Sequence, residues 1–199
     1  TAWDHAWIEE HPEWCLKDGD GNMQPPLGTD WTDVVQLDYS QQGLRDAMME
    51  VLQYWVRDVG IDGYRCDVAG FVPTDFCDEV RYELDQIKPV FMLAEWEARD
   101  LHVRAFDMTY AWTLWDVMHK VGTGKANASA LYSYFNRQKI TIPLDYIKMN
   151  HVENHDKNSW EGVTEANFGG ALEAFMALTV TAPGMPLIYN GQEANNQKA

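Results

Sequence analysis

Three acidic residues stand where short apolar runs end. Asp67 closes Gly63-Tyr64-Arg65-Cys66-Asp67, Glu95 closes Val90-Phe91-Met92-Leu93-Ala94-Glu95, and Asp156 lies in Glu153-Asn154-His155-Asp156, just after Ile147-Lys148-Met149-Asn150-His151-Val152. Two carboxyl groups on neighbouring strands can cleave a glycosidic bond: one attacks the anomeric carbon while the other protonates the leaving oxygen. The roles need different proton affinities, because the nucleophile must stay ionised and the acid must hold its proton. Arg65 lies two residues before Asp67 and so faces the same side of an extended strand. A guanidinium there lowers the carboxyl pKa. Glu95 follows four apolar residues and precedes Trp96, and apolar surroundings favour the protonated form that a proton donor needs. Taken singly, Arg65 with Asp67 reads as a structural ion pair, Glu95 as a surface acid and Asp156 as a turn residue. Their joint occurrence at successive strand ends favours one converging acidic site.

Such convergence requires parallel strands delivered side by side, and the rest of the chain supplies the pattern. Leu44, Met48, Val51, Leu52, Trp55 and Val59 recur at three- and four-residue steps, as on one helix face, and Gly60 suits the C-terminal cap. A second helical stretch follows Pro73, with Phe76, Val80, Leu84 and Ile87 on one side, and Lys88-Pro89 stops it. Phe106–Tyr110 is a further strand, followed by helical stretches near 112–121 and 128–138. A helix around 166–181 leads to a last strand, Pro186–Tyr189. Apolar strands alternating with helices predict an α/β fold with a parallel sheet covered by helices. Sites in such folds lie at the carboxyl ends of the strands. Residues 1–40 lack periodicity but hold Trp3, Trp7, Trp14 and Trp31, which predicts an ordered, functional loop.

Composition narrows the partners. The 199 residues carry 15 Lys and Arg against 31 Asp and Glu, a formal charge of −16. Nucleic acid is excluded by the scarcity and scatter of basic residues, since a phosphate backbone needs them clustered. No apolar run of about 18 residues occurs, so no membrane-spanning helix is expected. The nine Trp suit stacking on sugar faces, although most tryptophans pack cores. Trp96, Trp112, Trp115 and Trp160 are available to line sugar subsites, with Trp112 and Trp115 as plausibly helix packing. Cys15, Cys66 and Cys77 read as ordinary thiols. His151 and His155 are four apart, but the segment reads as strand and turn, so no metal site is expected there. Gly122-Thr123-Gly124-Lys125 lacks the hydroxyl residue and the first glycine of a phosphate loop. Asn127-Ala128-Ser129 is a glycosylation triplet of a kind common by chance.

Gly63-Tyr64-Arg65-Cys66-Asp67, Ala94-Glu95-Trp96 and Glu153-Asn154-His155-Asp156 together resemble three of the short conserved regions of the α-amylase family, glycoside hydrolase family 13. Gly184-Met185-Pro186-Leu187-Ile188-Tyr189-Asn190-Gly191-Gln192-Glu193 resembles that family's segment at the eighth barrel strand. Trp31-Thr32-Asp33-Val34 through Leu37-Asp38 resembles its approach to the fourth. The matches come in family order and span nearly the whole chain.

The resemblance implies a partial (β/α)8 TIM barrel, strands 4 to 8, with residues 1–40 as the loop after strand 3 and 1–199 as the C-terminal part of the catalytic barrel. It implies Asp67 as nucleophile, Glu95 as general acid/base, Asp156 as transition-state stabiliser, and Arg65 and His155 as contacts of nucleophile and substrate. The implied activity is retaining hydrolysis of α-glucans such as starch or maltooligosaccharides. Alternatives in the same family are an α-glucosidase, a cyclomaltodextrinase or a transglycosylase. A different class is a non-catalytic barrel homologue serving as a carbohydrate-binding or transport partner. Gly70 and Phe71 stand where many members carry Lys-His, which counts against product-side sugar contacts and a calcium site at that loop. No cofactor is certain, and calcium is left to the full-length enzyme. A complete barrel of this type needs about 250 residues, so the 199 residues alone are expected to be inactive.

Overall fold

A computed structural model describes residues 1–141 and 145–194. The backbone divides into two compact units, one made of 1–64 with 68–91, the other of 65–67 with everything from Met92 onward.

In the first unit, the opening segment is ordered without a regular sheet. It holds a five-residue helix, α1 (Ala6–Glu10), a 3-10 turn at Pro12–Trp14, and isolated antiparallel bridges Ala2 to Val34, Cys15 to Leu37 and Lys17 to Met23. The Thr1 ammonium donates to the Val35 carbonyl at 2.8 Å. Trp14 stacks on His11, with ring centres 3.8 Å apart, and meets Trp7 edge-on. The expected irregular loop is thus held by single bridges and stacked rings.

Helix α2 (Gln42–Tyr54) ends earlier than its periodicity predicts and continues as one wide turn, Trp55–Val59. Gly60 closes that turn at φ 85°, its N–H bonding the Trp55 carbonyl, a left-handed conformation natural to glycine. Helix α3 (Thr74–Ile87) buries Phe76, Cys77, Val80 and Leu84, the three- and four-residue stripe of an amphipathic helix. Arg45 of α2 pairs with Asp75 of α3 at 2.7 Å.

Five strands form one sheet in sequential order: β1 (Gly63–Cys66), β2 (Phe91–Ala94), β3 (Met108–Tyr110), β4 (Ile147–Asn150) and β5 (Met185–Pro186). Neighbours from β2 to β5 pair in parallel. With intervening helices α4 (Trp112–Gly122), α5 (Ser129–Thr141), α6 (His155–Trp160), α7 (Thr164–Phe168) and α8 (Leu172–Thr181), this is the topology of a partial (β/α)8 barrel. The core of the second unit gathers Leu114, Trp115 and Met118 of α4 with Tyr134, Val152, Phe168 and Phe175.

Three expectations change in detail. The single helix expected at 166–181 is two helices, because Gly169 takes φ 53° and ψ −136° and a 3-10 turn at Gly169–Ala171 intervenes. The last strand is only Met185–Pro186, since Pro186 lacks the N–H needed to continue a ladder. His155 and Asp156 open helix α6 rather than a turn, because Asn154 caps it by accepting from the Lys157 N–H at 2.7 Å. The cysteines are free thiols, as expected, and no helix among the described residues is long and apolar enough to cross a membrane.

Gly184 shows how tightly β5 approaches β4. A Cβ there would lie 2.4 Å from the Lys148 carbonyl oxygen and 2.8 Å from Asn150 Nδ2, and its φ is 128°. Overpacking and a disfavoured φ each cost on the order of 1–3 kcal/mol. Gly184→Ala is therefore expected to lower unfolding free energy by about 2–4 kcal/mol in a urea titration. An unchanged midpoint would contradict the close approach.

Candidate active site

Each predicted acid follows a strand directly or through one short connection. Asp67 comes immediately after β1 and Glu95 immediately after β2. The Glu95 N–H donates to the Cys66 carbonyl at 2.9 Å, so the parallel ladder continues just far enough to bring both acids to the same strand ends. Beyond Asp67 the chain turns sharply: Val68 has φ 46° and ψ 45°, and it is the one non-glycine residue at positive φ. For a β-branched side chain that is an outlier worth a kilocalorie or more, of the kind stored at functional sites.

Arg65 joins the site together. Its Nη1 donates to Asp67 Oδ1 at 2.7 Å, its Nη2 lies 2.5 Å from Glu95 Oε1, and its Nε donates to the Tyr110 hydroxyl at 3.1 Å. The Glu95 side chain is 8% exposed and that of Asp67 is 72% exposed. The two carboxyls therefore differ in surroundings while sharing one cation. Partial burial pushes the Asp67 carboxyl up, but a hydrogen bond with Glu95, the bond and charge of Arg65 and the nearby His155 outweigh it and hold the group below its ordinary range. The sequence reading gave Arg65 to Asp67 alone, whereas the guanidinium is divided between both acids. Cys66, between Arg65 and Asp67, is an inert thiol, since burial pushes its pKa up to about 11.

Asp156 and His155 reach the same place from the first turn of α6. One acceptor or donor atom from each of Glu95, His155 and Asp156 falls within 4.8 Å of the others. His155 Nε2 lies 3.4 Å from Asp156 Oδ2. All five sequence-derived residues thus gather in the second unit. Three such atoms do not make a calcium site, which takes six to eight oxygens, and a cation bound there would meet the guanidinium already on Glu95.

Behind α6, the segment 152–157 is fixed at several points. Trp115 Nε1 donates to the Val152 carbonyl at 2.8 Å, and Lys157 Nζ sits 3.9 Å from the centre of the Trp115 ring. Thr164 Oγ1 donates to Glu153 Oε2 at 2.5 Å. Trp115 is therefore a buried support and does not line a sugar subsite, while Trp160 is exposed.

Sequence reasoning missed Tyr110 and Asn154. Tyr110 ends its strand as Asp67 and Glu95 follow theirs, a positional signal masked by its reading as core. Asn154 offered the commonest N-cap residue type before His155.

The sequence profile of the family described as "Alpha amylase, catalytic domain" matches residues 23–198. The crystal structure of a noncanonic maltogenic α-amylase from Thermotoga neapolitana superposes with a TM-score of 0.87 at 33% identity, covering 100% of this chain and 46% of that one. An α-amylase of Haloarcula japonica is 28% identical over 176 residues, 86% of this chain and 26% of that protein. A 4-α-glucanotransferase of Thermotoga maritima is 28% identical over 165 residues, 79% of this chain and 36% of that protein. The chain thus spans about a quarter to a half of the length of these relatives.

Proposed function

Because this chain belongs to the α-amylase catalytic-domain family, we propose that it is the C-terminal part, strands 4 to 8, of the barrel of an enzyme that cleaves α-glucosidic bonds in starch or maltooligosaccharides with retention. Residues 1–40 are then the loop that follows barrel strand 3. Asp67 attacks the anomeric carbon as Glu95 passes its proton to the leaving oxygen, leaving a covalent glycosyl ester on Asp67. Glu95, now a carboxylate, takes a proton from water as that water attacks the same carbon and releases Asp67. Asp156 and His155 bind sugar hydroxyls, contacts that raise the rate where they tighten as positive charge develops on the ring.

The observation that carries this reading is the hydrogen bond between Asp67 and Glu95 with one guanidinium on both. An inverting pair needs roughly 6.5–9.5 Å between carboxyls to admit a water, against about 5–5.5 Å for a retaining pair. The short separation supports the retaining class.

Transfer of the glycosyl group to another sugar is the second reading, favoured by the glucanotransferase among the relatives. Both share the same intermediate and differ in the acceptor. A non-catalytic role is less well supported, because all three acids are present and close together.

The test is product analysis by proton NMR of the full-length protein with maltooligosaccharides. Early products are expected to carry α-anomeric ends. Longer oligosaccharides than those supplied would select transfer, β-anomeric ends would overturn the retaining mechanism, and no product at all would favour the binding role.

A further inference from the structure

We propose that Tyr110 is a positioning residue that acts through Arg65, fixing the guanidinium so that one cation serves Asp67 and Glu95 together. Its catalytic consequence rests on the glycosidase reading above, but its geometric content does not.

A guanidinium on a long side chain is free to swing toward either acid. Arg65 Nη1 and Nη2 face Asp67 and Glu95, and only Nε remains to set the plane. That N–H donates to the Tyr110 hydroxyl at 3.1 Å. The planar fork then has three fixed points, so its orientation is determined.

Tyr110 is itself built to stay still. It is 3% exposed and ends β3. Its N–H donates to the Trp96 carbonyl at 3.1 Å, and its own carbonyl lies 3.4 Å from Lys148 Nζ. The ring meets His151 edge-on at 5.9 Å and Trp112 at 5.7 Å, within a cluster that includes Met108 and Met149. Lys148 is anchored in turn on Glu97 at 2.8 Å. A hydroxyl this well supported transmits position to the arginine and does not adapt to it.

Several charges bear on the reporter group. Asp67 is faced by Arg65 from its own strand, by Glu95 from the end of β2 and by His155 from α6. Glu95 and Asp156 act in turn on Tyr110. Losing the Tyr110 hydroxyl lets the guanidinium drift, so Asp67 loses part of its stabilisation as an anion. Its pKa then rises, and the acid limb of a rate profile moves to higher pH.

The experiment compares the full-length protein with its Tyr110→Phe, Arg65→Lys and double variants. Two readouts are taken: the carboxyl 13C NMR titration of Asp67, and kcat/KM on maltooligosaccharides against pH. Tyr110→Phe is expected to raise the Asp67 midpoint by about half a unit to one unit, a fraction of the 1–3 units a neighbouring guanidinium is worth. The acid limb should follow. The double variant should shift no further than Arg65→Lys alone, because the two residues act as one device.

An unmoved midpoint, or additive shifts, would overturn the proposal. So would an equal loss of rate at every pH, the mark of a merely structural tyrosine. In the unaltered protein the Arg65 Nε–H should exchange slowly with solvent, and fast exchange would overturn the contact without any substitution. A shifted titration in a protein that leaves maltooligosaccharides untouched would overturn the glycosidase reading instead.

Discussion

Asp67→Asn is expected to cut turnover of maltooligosaccharides by the full-length protein about 10³-fold or more, the scale seen when a covalent nucleophile is removed. The amide keeps the shape of the carboxyl and an oxygen that accepts from Arg65 Nη1, now at 2.7 Å from Oδ1. It has no anionic oxygen to attack with, so the ester cannot form. The fold should hardly notice, because the side chain is 72% exposed and exposed ion pairs contribute about 0–1 kcal/mol. The loss should therefore appear in kcat with little change in melting temperature, and binding of maltooligosaccharide should survive. Rates within a few-fold of the unaltered protein would remove Asp67 from the role of nucleophile. A collapse of stability instead would show that the Arg65 pair is structural.

The arrangement that makes this test meaningful was partly legible in the sequence. Arg65 and Asp67 are two residues apart on an apolar-flanked segment, and an extended chain has no choice but to put them on one side; the structure pairs them at 2.7 Å. Glu95 was legible for a similar reason, since four apolar residues can be satisfied only in a buried strand, and whatever follows must emerge at its end. The division of Arg65 between Asp67 and Glu95 was not legible. It depends on the parallel register of β1 beside β2, which no spacing within either segment encodes. Tyr110 was hidden by its own chemistry: an aromatic closing an apolar strand fits the core as well as it fits a hydrogen bond to a guanidinium, and here it does both.

Elsewhere the misreadings have local causes. The apolar periodicity of 166–181 ran across Gly169-Gly170, and the left-handed turn taken by Gly169 broke it. In 1–40, order comes from isolated bridges and from a tryptophan stacked on a histidine. Pairings of that kind leave no period in the sequence.

Glu95→Gln should show a different signature, because its loss depends on the substrate. Glutamine still fills the nearly buried position and still accepts a hydrogen bond from Arg65 Nη2, but it cannot donate a proton to a sugar oxygen. For maltooligosaccharides, whose leaving group needs that proton, the expected loss in kcat/KM is about 10²–10⁴-fold. For α-maltosyl fluoride, whose leaving group needs none, ester formation should proceed at close to its ordinary rate. Breakdown of the ester should then limit turnover, since the residue that activates water is gone. Added azide needs no base. It should attack the same carbon from the face that Glu95 served and release α-maltosyl azide, restoring turnover. Asp67→Asn should give neither behaviour, as it fails before the ester exists. The two variants together thus separate the acid from the nucleophile, although one guanidinium touches both carboxyls. Equal losses on both substrate types, with no azide product, would mean that Glu95 shapes the site without transferring a proton.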